Sequence, residues 1–171
     1  MNSALAPVLI ASGPHPSLGE AADTYARVIG SWRGELHNFM SEGAVPKTSI
    51  EAHFAWVLEG RAVQDVWITP ARSDRARPSP SFDWYGTTLR VFDPSRGAWR
   101  AIWSDPVSQL QIEIEGRRQG DDIVQLGRRG STVIRWTFSQ IQSDSFLWQG
   151  HALRADGETW QEEVRIPFRR S

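Results

Sequence analysis

One histidine and one glutamate are predicted to face each other across a hairpin near the C-terminus. The stretch FLWQGHALRADGETWQEEV, residues 146–164, has two strand-like runs on either side of Asp156-Gly157. An Asp-Gly pair is a strong signal for a two-residue type I′ turn, which here places His151 opposite Glu162. Opposite side chains have Cβ atoms about 4.5–5.5 Å apart, so the imidazole can donate a hydrogen bond to the carboxylate. Such a pair can serve as a general base, anchor a ligand, or only satisfy two polar groups in a core.

The turn before this hairpin predicts which way His151 points. If Ser143-Asp144 is a two-residue turn, Trp136 lies opposite His151. Facing residues share one side of the sheet, and the side with the apolar majority should line the interior. His151 is therefore expected inside, between Trp136 and Glu162, and a slip of one residue at either turn would reverse this orientation. The other residues assigned to this inner face are Ile134, Phe138, Leu147, Gln149, Leu153, Trp160, Val164, Ile166 and Phe168.

Two charged residues, Asp65 and Arg90, are expected inside on adjacent strands. A Glu59-Gly60 turn places Phe54 opposite Asp65, and a four-residue loop in the next hairpin turns Arg90 to the same side. An unpaired buried charge is costly, so each needs a partner, and a structural ion pair is the preferred interpretation. The inner faces of these two hairpins comprise Ile50, Ala52, Phe54, Trp56, Val63, Asp65 and Trp67, and Thr88, Arg90, Phe92, Trp99, Ala101 and Trp103.

Other chemistry is poorly represented in the sequence. His15, His37 and His53 are isolated along the chain and are expected on the surface or in packing roles. No HExxH, phosphate-loop or GxSxG pattern occurs, so no metal and no cofactor is expected. The chain has no cysteine, which excludes disulfides, a thiol nucleophile and thiolate metal sites.

Short strands separated by turns must position all of these residues. Only SLGEAADTYARVIG has a helical period, which predicts one helix over 17–29 with Ser17 as N-cap and Gly30 as the stop. Strands are predicted near 32–40, 48–58, 61–69, 85–93, 98–104, 107–115, 121–128, 132–141, 146–154 and 159–169.

This pattern predicts an all-β fold with a single up-and-down antiparallel barrel of about ten strands and one short N-terminal helix. Residues 1–16 are expected to be a tail, and residues 17–171 the barrel domain. The loop over 70–84, rich in Pro, Ser and Arg, is too long for a hairpin and is expected to lie over one mouth of the barrel.

Composition narrows the choice of partners. The chain has 171 residues, with 19 Lys and Arg against 20 Asp and Glu, so its net charge of -1 does not suggest a polyanion partner such as nucleic acid. It has neither a secretory signal pattern nor an apolar run long enough for a membrane span, and a cytoplasmic location is expected. Whether it forms a homodimer is left open. Nine tryptophans indicate a barrel with an aromatic interior.

Several segments resemble lipocalin-like (calycin) barrels. The segment VIGSWRGELHNF, with Gly30-Ser31-Trp32, is similar to the GxW start of that class. WVLEGRAVQDVWITP, YGTTLRVFDP and RWTFSQIQSDSFLWQGHALRADGETW resemble a family of bacterial lipocalin-like domains without assigned function, from about Gly30 to Arg170. The resemblance implies the barrel but hardly its chemistry.

Two details of the resemblance concern His151. An acid is common in the bacterial family where this chain has His151, so an inherited role does not follow. The GSWRGE segment is also similar to the start of nitrobindin, a haem-binding calycin whose axial histidine lies in a C-terminal motif that this chain lacks.

The leading functional expectation is a barrel that holds one small, largely apolar molecule, aromatic or isoprenoid. The main alternative is a cofactor-independent isomerase, cyclase, lyase or hydrolase, in which His151 and Glu162 are the catalytic acid-base pair and Arg90 or Gln149 holds a substrate oxygen. Haem binding through His151 and a barrel without a pocket are lesser alternatives. The expected ligand-binding residues are Phe54, Trp56, Asp65, Trp67, Arg90, Trp103, Trp136, Phe138, Gln149 and Trp160.

Overall fold

Ten antiparallel strands close into a barrel in the computed structural model, which describes residues 4–40, 43, 45–75 and 83–171. Each strand pairs with the next along the chain, and the last pairs with the first, so the barrel is closed and the predicted fold class is confirmed. The strands are β2 (Gly30–Asn38), β3 (Lys47–Val57), β4 (Ala62–Thr69), β5 (Trp84–Asp93), β6 (Ala98–Asp105), β7 (Leu110–Gln119), β8 (Asp122–Arg129), β9 (Thr132–Ser139), β10 (Ser145–Leu153) and β11 (Trp160–Arg170).

The N-terminal region differs in detail from the predicted single helix over 17–29. It forms a 3₁₀ helix, Pro16–Ala22, followed by a short α-helix, α2 (Asp23–Ala26), because Gly19 departs from helical angles with φ 51° and ψ -136°. The N-cap is His15, whose ring nitrogen accepts a hydrogen bond from the Ser17 backbone. Two short elements that were not predicted come first, helix α1 (Leu5–Leu9) and strand β1 (Ile10–Ala11), and β1 pairs with the end of β3.

This N-terminal segment closes one end of the barrel. The His15 backbone N–H donates to the Gly60 carbonyl at 2.9 Å, and the Arg27 guanidinium donates to the carbonyls of Asp121 and Ile141. These three acceptors belong to turns or loops at the same end. At the other end, the described residues leave an opening into the interior, and residues 76–82 of the loop predicted to cover that mouth lie outside the described residues.

The registers of two hairpins match the predictions. In both, short turns with glycine preserve the alternation of inward and outward side chains. The confirmed pairs are Ala52 with Trp67, Phe54 with Asp65, Trp56 with Val63, Thr88 with Trp103, Arg90 with Ala101, and Phe92 with Trp99.

The predicted register between β9 and β10 is wrong by one residue. Trp136 lies opposite Gly150 rather than His151, and Phe138 lies opposite Trp148. The Gln142 backbone N–H still donates to the Ser145 carbonyl at 2.8 Å across Ser143-Asp144, so the shift arises before this turn, where Gln140 has φ 51° and the Ile141 side chain is buried in the core. A slip of one residue exchanges the two faces of β10.

A bulge in β11 shifts the next register as well. His151 lies opposite Glu162 as predicted, but Gly150 lies opposite Val164, so Glu163 is an extra residue. Beyond this bulge, Gln149 pairs with Arg165 rather than with Val164.

These two irregularities correct the predicted inner face. Trp148 and Gly150 point into the barrel, while His151 and Glu162 are on its outer face. Trp160 also lies outside, where the Arg135 guanidinium stacks on its ring at 4.3 Å. The residues predicted inside and found outside are Leu147, Gln149, His151, Leu153, Trp160 and Glu162.

Most of the tryptophans lie in the interior. Six are buried, namely Trp32, Trp56, Trp67, Trp99, Trp103 and Trp148. Trp84, Trp136 and Trp160 are half-buried. The aromatic interior expected from the composition is therefore present.

Candidate functional site

A cavity of about 410 Å³ occupies the barrel towards its open end. Its walls are mainly indole rings and its floor is polar. Charged side chains lie near its mouth. The residues that line it are Met40, Trp67, Trp84, Thr88, Arg90, Trp103, Asp105, Ser108, Leu110, Ile112, Gln125, Arg129, Trp136, Trp148, Gly150, Glu163 and Val164.

The walls carry a tryptophan belt, which we define as Trp84, Trp103, Trp136, Trp148 and Trp67. Neighbouring ring centroids along this series are separated by 6.3, 6.5, 5.8 and 5.4 Å, in tilted or edge-to-face arrangements. All five lie at inward positions of their strands. The belt therefore presents a continuous aromatic surface to the cavity.

A glycine makes room for one ring of the belt. A Cβ atom at Gly86 would lie 2.4 Å from two ring carbons of Trp103. Because Gly86 sits between the inward residues Trp84 and Thr88, its missing side chain lets the Trp103 indole lie against β5.

The floor contains the predicted ion pair. Arg90 Nη1 lies 2.5 Å from Asp65 Oδ2, and the two side chains are 2% and 0% exposed. Asp65 Oδ1 accepts a hydrogen bond from the Thr88 backbone at 2.8 Å. Arg90 Nη1 and Asp65 Oδ2 are therefore partners in the ion pair, whereas Arg90 Nε has no hydrogen-bond partner within the described residues.

Tyr25 of α2 supports this floor from the closed end. Its ring centroid lies 5.0 Å from the Arg90 guanidinium, and its hydroxyl accepts a hydrogen bond from Gln125 at 3.0 Å. Burial raises the pKa of Tyr25, although the positive charge of Arg90 opposes this shift, so the hydroxyl is neutral at pH 7. The Oε1 atom of Gln125 has no hydrogen-bond partner in the described part of the chain.

The charges at the mouth are held by local partners. Arg129 donates two hydrogen bonds to Glu163, at 3.0 and 2.5 Å, and Glu163 is the extra residue of the β11 bulge. Asp105 accepts hydrogen bonds from the Val107 backbone at 3.0 Å and from the Ser108 hydroxyl at 2.6 Å.

The structure brings together only part of the predicted site. Four predicted residues line the cavity: Trp67, Arg90, Trp103 and Trp136. Four are buried nearby without lining it: Phe54, Trp56, Asp65 and Phe138. Four lie on the outer face: Gln149, His151, Trp160 and Glu162.

Several residues that line the cavity were not predicted from the sequence. Trp148 and Glu163 were assigned to the outer face by the two register errors, and no local sequence signal marks the bulge. Trp84 and Gln125 could have been found, because each alternates with inward residues along its own strand.

The predicted hydrogen bond between His151 and Glu162 is not formed. Glu162 instead accepts hydrogen bonds from Gln149 at 2.7 Å and from Arg165 at 2.9 and 2.6 Å. Burial alone would raise the pKa of Glu162, but these hydrogen bonds outweigh it and lower the pKa. Burial and the nearby charge of Arg135 lower the pKa of His151, against the opposing effect of Glu162.

The described residues contain no group of three or more His, Cys, Asp or Glu side chains arranged to hold a metal ion. No helix in the described ranges is both long enough and apolar enough to cross a membrane.

The closed ten-stranded antiparallel barrel fits a lipocalin-like barrel fold. Two solved structures share it. The crystal structure of Rv2717c from M. tuberculosis matches with a TM-score of 0.61 at 16% identity, over 92% of this chain and 99% of that one. The S-type phycobiliprotein lyase CPES from Guillardia theta matches with a TM-score of 0.59 at 11% identity, over 88% of this chain and 92% of that one.

These identities show a shared fold alone. No protein-family model matches the chain, and no curated protein sequence matches it. Function must therefore be argued from the cavity itself.

Proposed function

We propose that this protein binds one small, largely apolar molecule, with an aromatic or isoprenoid body, in the tryptophan-lined cavity. The observation that carries the proposal is the tryptophan belt around an open space of about 410 Å³. Cavities of about 300–1,000 Å³ with mainly apolar walls and a few placed polar groups are typical of small-molecule sites.

The arrangement of the rings favours a ligand over a packing role. Rings that only filled the core would close on one another, whereas five indoles here border the same open space. A flat, apolar guest would bury its own surface and that of the rings, which supplies the driving force for binding. Arg129, a cation in the described part of the mouth, is already paired with Glu163 and so is not free to attract an anionic ligand.

The enzymatic alternative loses its acid-base pair. It required His151 and Glu162 inside the cavity, and both are on the outer face of the barrel. One structural neighbour is a phycobiliprotein lyase, but the described lining of this cavity has no histidine, and its carboxylates Asp105 and Glu163 are hydrogen-bonded to Ser108 and Arg129. Haem binding through His151 is set aside for the same geometric reason.

The proposal is tested with N-phenyl-1-naphthylamine, an uncharged fluorescent probe with an apolar aromatic body. We expect one-to-one binding, seen as quenching of tryptophan emission and an increase in probe emission. Substitution Leu110→Trp should fill the mouth of the cavity and weaken binding at least about tenfold, equivalent to about 1.4 kcal/mol.

The matched control is Leu126→Trp, which adds the same indole on the outer face, where Leu126 is 45% exposed. Its affinity should stay within about twofold of the unsubstituted protein. Absence of saturable binding, or equal losses in the two variants, would contradict a site in the cavity.

A further inference from the structure

We propose that the ligand of this cavity carries an uncharged polar head that both accepts and donates hydrogen bonds, such as an amide or a hydroxyl, placed between Arg90 and Gln125. This inference rests on the proposed function and specifies the chemistry at the floor of the same site.

The Arg90 side chain supplies the donor. It lines the cavity, is almost completely buried, and has one nitrogen, Nε, with neither a hydrogen bond nor an ion-pair contact in the described residues, whereas Nη1 contacts Asp65. A buried donor without a partner is destabilising, so native proteins rarely leave one unsatisfied. An oxygen atom of a ligand would satisfy this donor.

The Gln125 side chain supplies the acceptor. It also lines the cavity, and its Oε1 atom is buried and unpartnered in the described chain, while its amide nitrogen is already bonded to the Tyr25 hydroxyl. Arg90 lies over the ring of the same Tyr25. The unsatisfied donor and acceptor therefore belong to two side chains that contact the same tyrosine, which places them in the same part of the floor.

The local charges favour an uncharged head. Arg90 is neutralised by Asp65 and Arg129 by Glu163, and Asp105 adds a third carboxylate to the two arginines in and beneath the cavity. A ligand carboxylate would enter this site as an unpaired buried charge. A carbonyl or hydroxyl oxygen would satisfy Arg90 without adding charge.

The test compares four probes with one ring system, each measured by displacement of N-phenyl-1-naphthylamine at about pH 7.5, where a carboxylic acid is ionised. These are naphthalene, 2-acetonaphthone, 2-naphthamide and 2-naphthoate. The amide and the methyl ketone have nearly the same shape, but only the amide can donate to Gln125. We expect 2-naphthamide to bind at least about tenfold more tightly than naphthalene and more tightly than the ketone or the carboxylate.

Two results would overturn the inference. One is an affinity of 2-naphthoate equal to that of 2-naphthamide, and the other is affinities of naphthalene and 2-acetonaphthone equal to that of 2-naphthamide. In both cases the proposed function would survive. Failure of N-phenyl-1-naphthylamine to bind at all would instead contradict the proposed function.

Variants of Gln125 and Arg90 test whether the polar head of the ligand binds to these two side chains. Gln125→Leu should reduce the amide-to-ketone affinity ratio to about one, because it removes the acceptor. The control Gln111→Leu, at an exposed position of β7, should keep the ratio of the unsubstituted protein.

A double variant, Asp65→Leu with Arg90→Met, removes donor and counter-charge together, so no lone charge is left in the core. It should abolish the advantage of the ketone over naphthalene and reduce that of the amide, which can still donate to Gln125. Unchanged ratios in this variant or in Gln125→Leu would overturn the assignment, and N-phenyl-1-naphthylamine binding reports whether the cavity is intact.

Discussion

At the scale of single residues, Arg90 is a charged side chain with almost no exposed surface, held in the barrel by Asp65. Removing one member of a buried ion pair leaves the other uncompensated. We therefore expect Asp65→Leu or Arg90→Met alone to lower the free energy of unfolding by about 3–5 kcal/mol.

In the double variant, Asp65→Leu with Arg90→Met, the free energy of unfolding should fall by much less than the sum of the two single decreases. Apolar side chains can replace a buried ion pair at little cost in stability. Urea unfolding of the unsubstituted protein, the two single variants and the double variant measures the coupling free energy between the two side chains. Additive losses would show that the two charges do not stabilise each other.

His151 predicts a dependence of stability on pH. Its pKa is lowered in the folded protein from an ordinary value of 6.5, so the unfolded chain takes up the proton more readily. The contribution of neutral His151 to stability is therefore complete above about pH 6.5 and decreases as the pH falls below it. His151→Gln removes this titration.

We expect the variant to lose less stability than the unsubstituted protein between about pH 7.5 and about pH 5, as measured by urea unfolding. A steeper loss in His151→Gln would show that the shift has the opposite sign. The test is independent of the cavity, since His151 lies outside it.

At the scale of elements, the short hairpins could be predicted from sequence and the irregular connections could not. The Glu59-Gly60 signal led to the correct facing of Phe54 and Asp65, because a short turn fixes the register on both sides. Between β9 and β10, the core contact of Ile141 depends on the rest of the barrel. Local turn residues do not contain that information.

The bulge at Glu163 illustrates the same limit. The opposition of His151 and Glu162 was predicted correctly, because it depends only on the nearby Asp156-Gly157 turn. The direction in which both residues point was wrong, because it depends on the register with β9. Ten strands could therefore be placed within a few residues, while the composition of the site changed with a single-residue slip.

The contact between α2 and β7 predicts a coupling between the cap and the barrel. A Cβ atom at Gly116 would lie 2.4 Å from the Tyr25 hydroxyl oxygen. Gly116→Ala should therefore displace the tyrosine and destabilise the protein by about 1–3 kcal/mol. Gly13→Ala, where a Cβ atom meets nothing within 4 Å, is the control and should change stability by less than about 0.5 kcal/mol.

Removal of the hydroxyl should relieve this clash. In the Tyr25→Phe background, Gly116→Ala should lower the free energy of unfolding by less than it does in the protein with the native tyrosine. A double-mutant cycle measured by urea unfolding gives the difference. Equal costs in both backgrounds would show that the hydroxyl is not the group that excludes a side chain at position 116.

At the scale of the whole molecule, the barrel has one end closed by the N-terminal segment and one end that opens into the cavity. The interior changes along this axis, from the polar floor around Arg90 to the tryptophan belt and then to the paired charges of Arg129 and Glu163. This order gives the proposed ligand one orientation, with its polar head towards the closed end.

The fold itself was predictable because alternation and turn signals recur along the whole chain. Solved structures at 16% and 11% identity share the barrel with few of the same residues. The cavity depends instead on which of two faces each strand turns inward, and on single residues such as Gly86 that leave room for a ring. The chemistry of the cavity could therefore be derived only from the structure and not from the sequence.

The most direct test of the central claim follows the indole N–H signals of all nine tryptophans by NMR, in protein isotope-labelled at the indole nitrogens, during titration with N-phenyl-1-naphthylamine. Single Trp→Phe variants assign the signals. The aromatic probe should shift the five signals of the tryptophan belt, while Trp32, which donates to the Val28 carbonyl, and Trp160 on the outer face stay in place. Shifts at Trp160 with the belt unchanged would contradict binding inside the barrel.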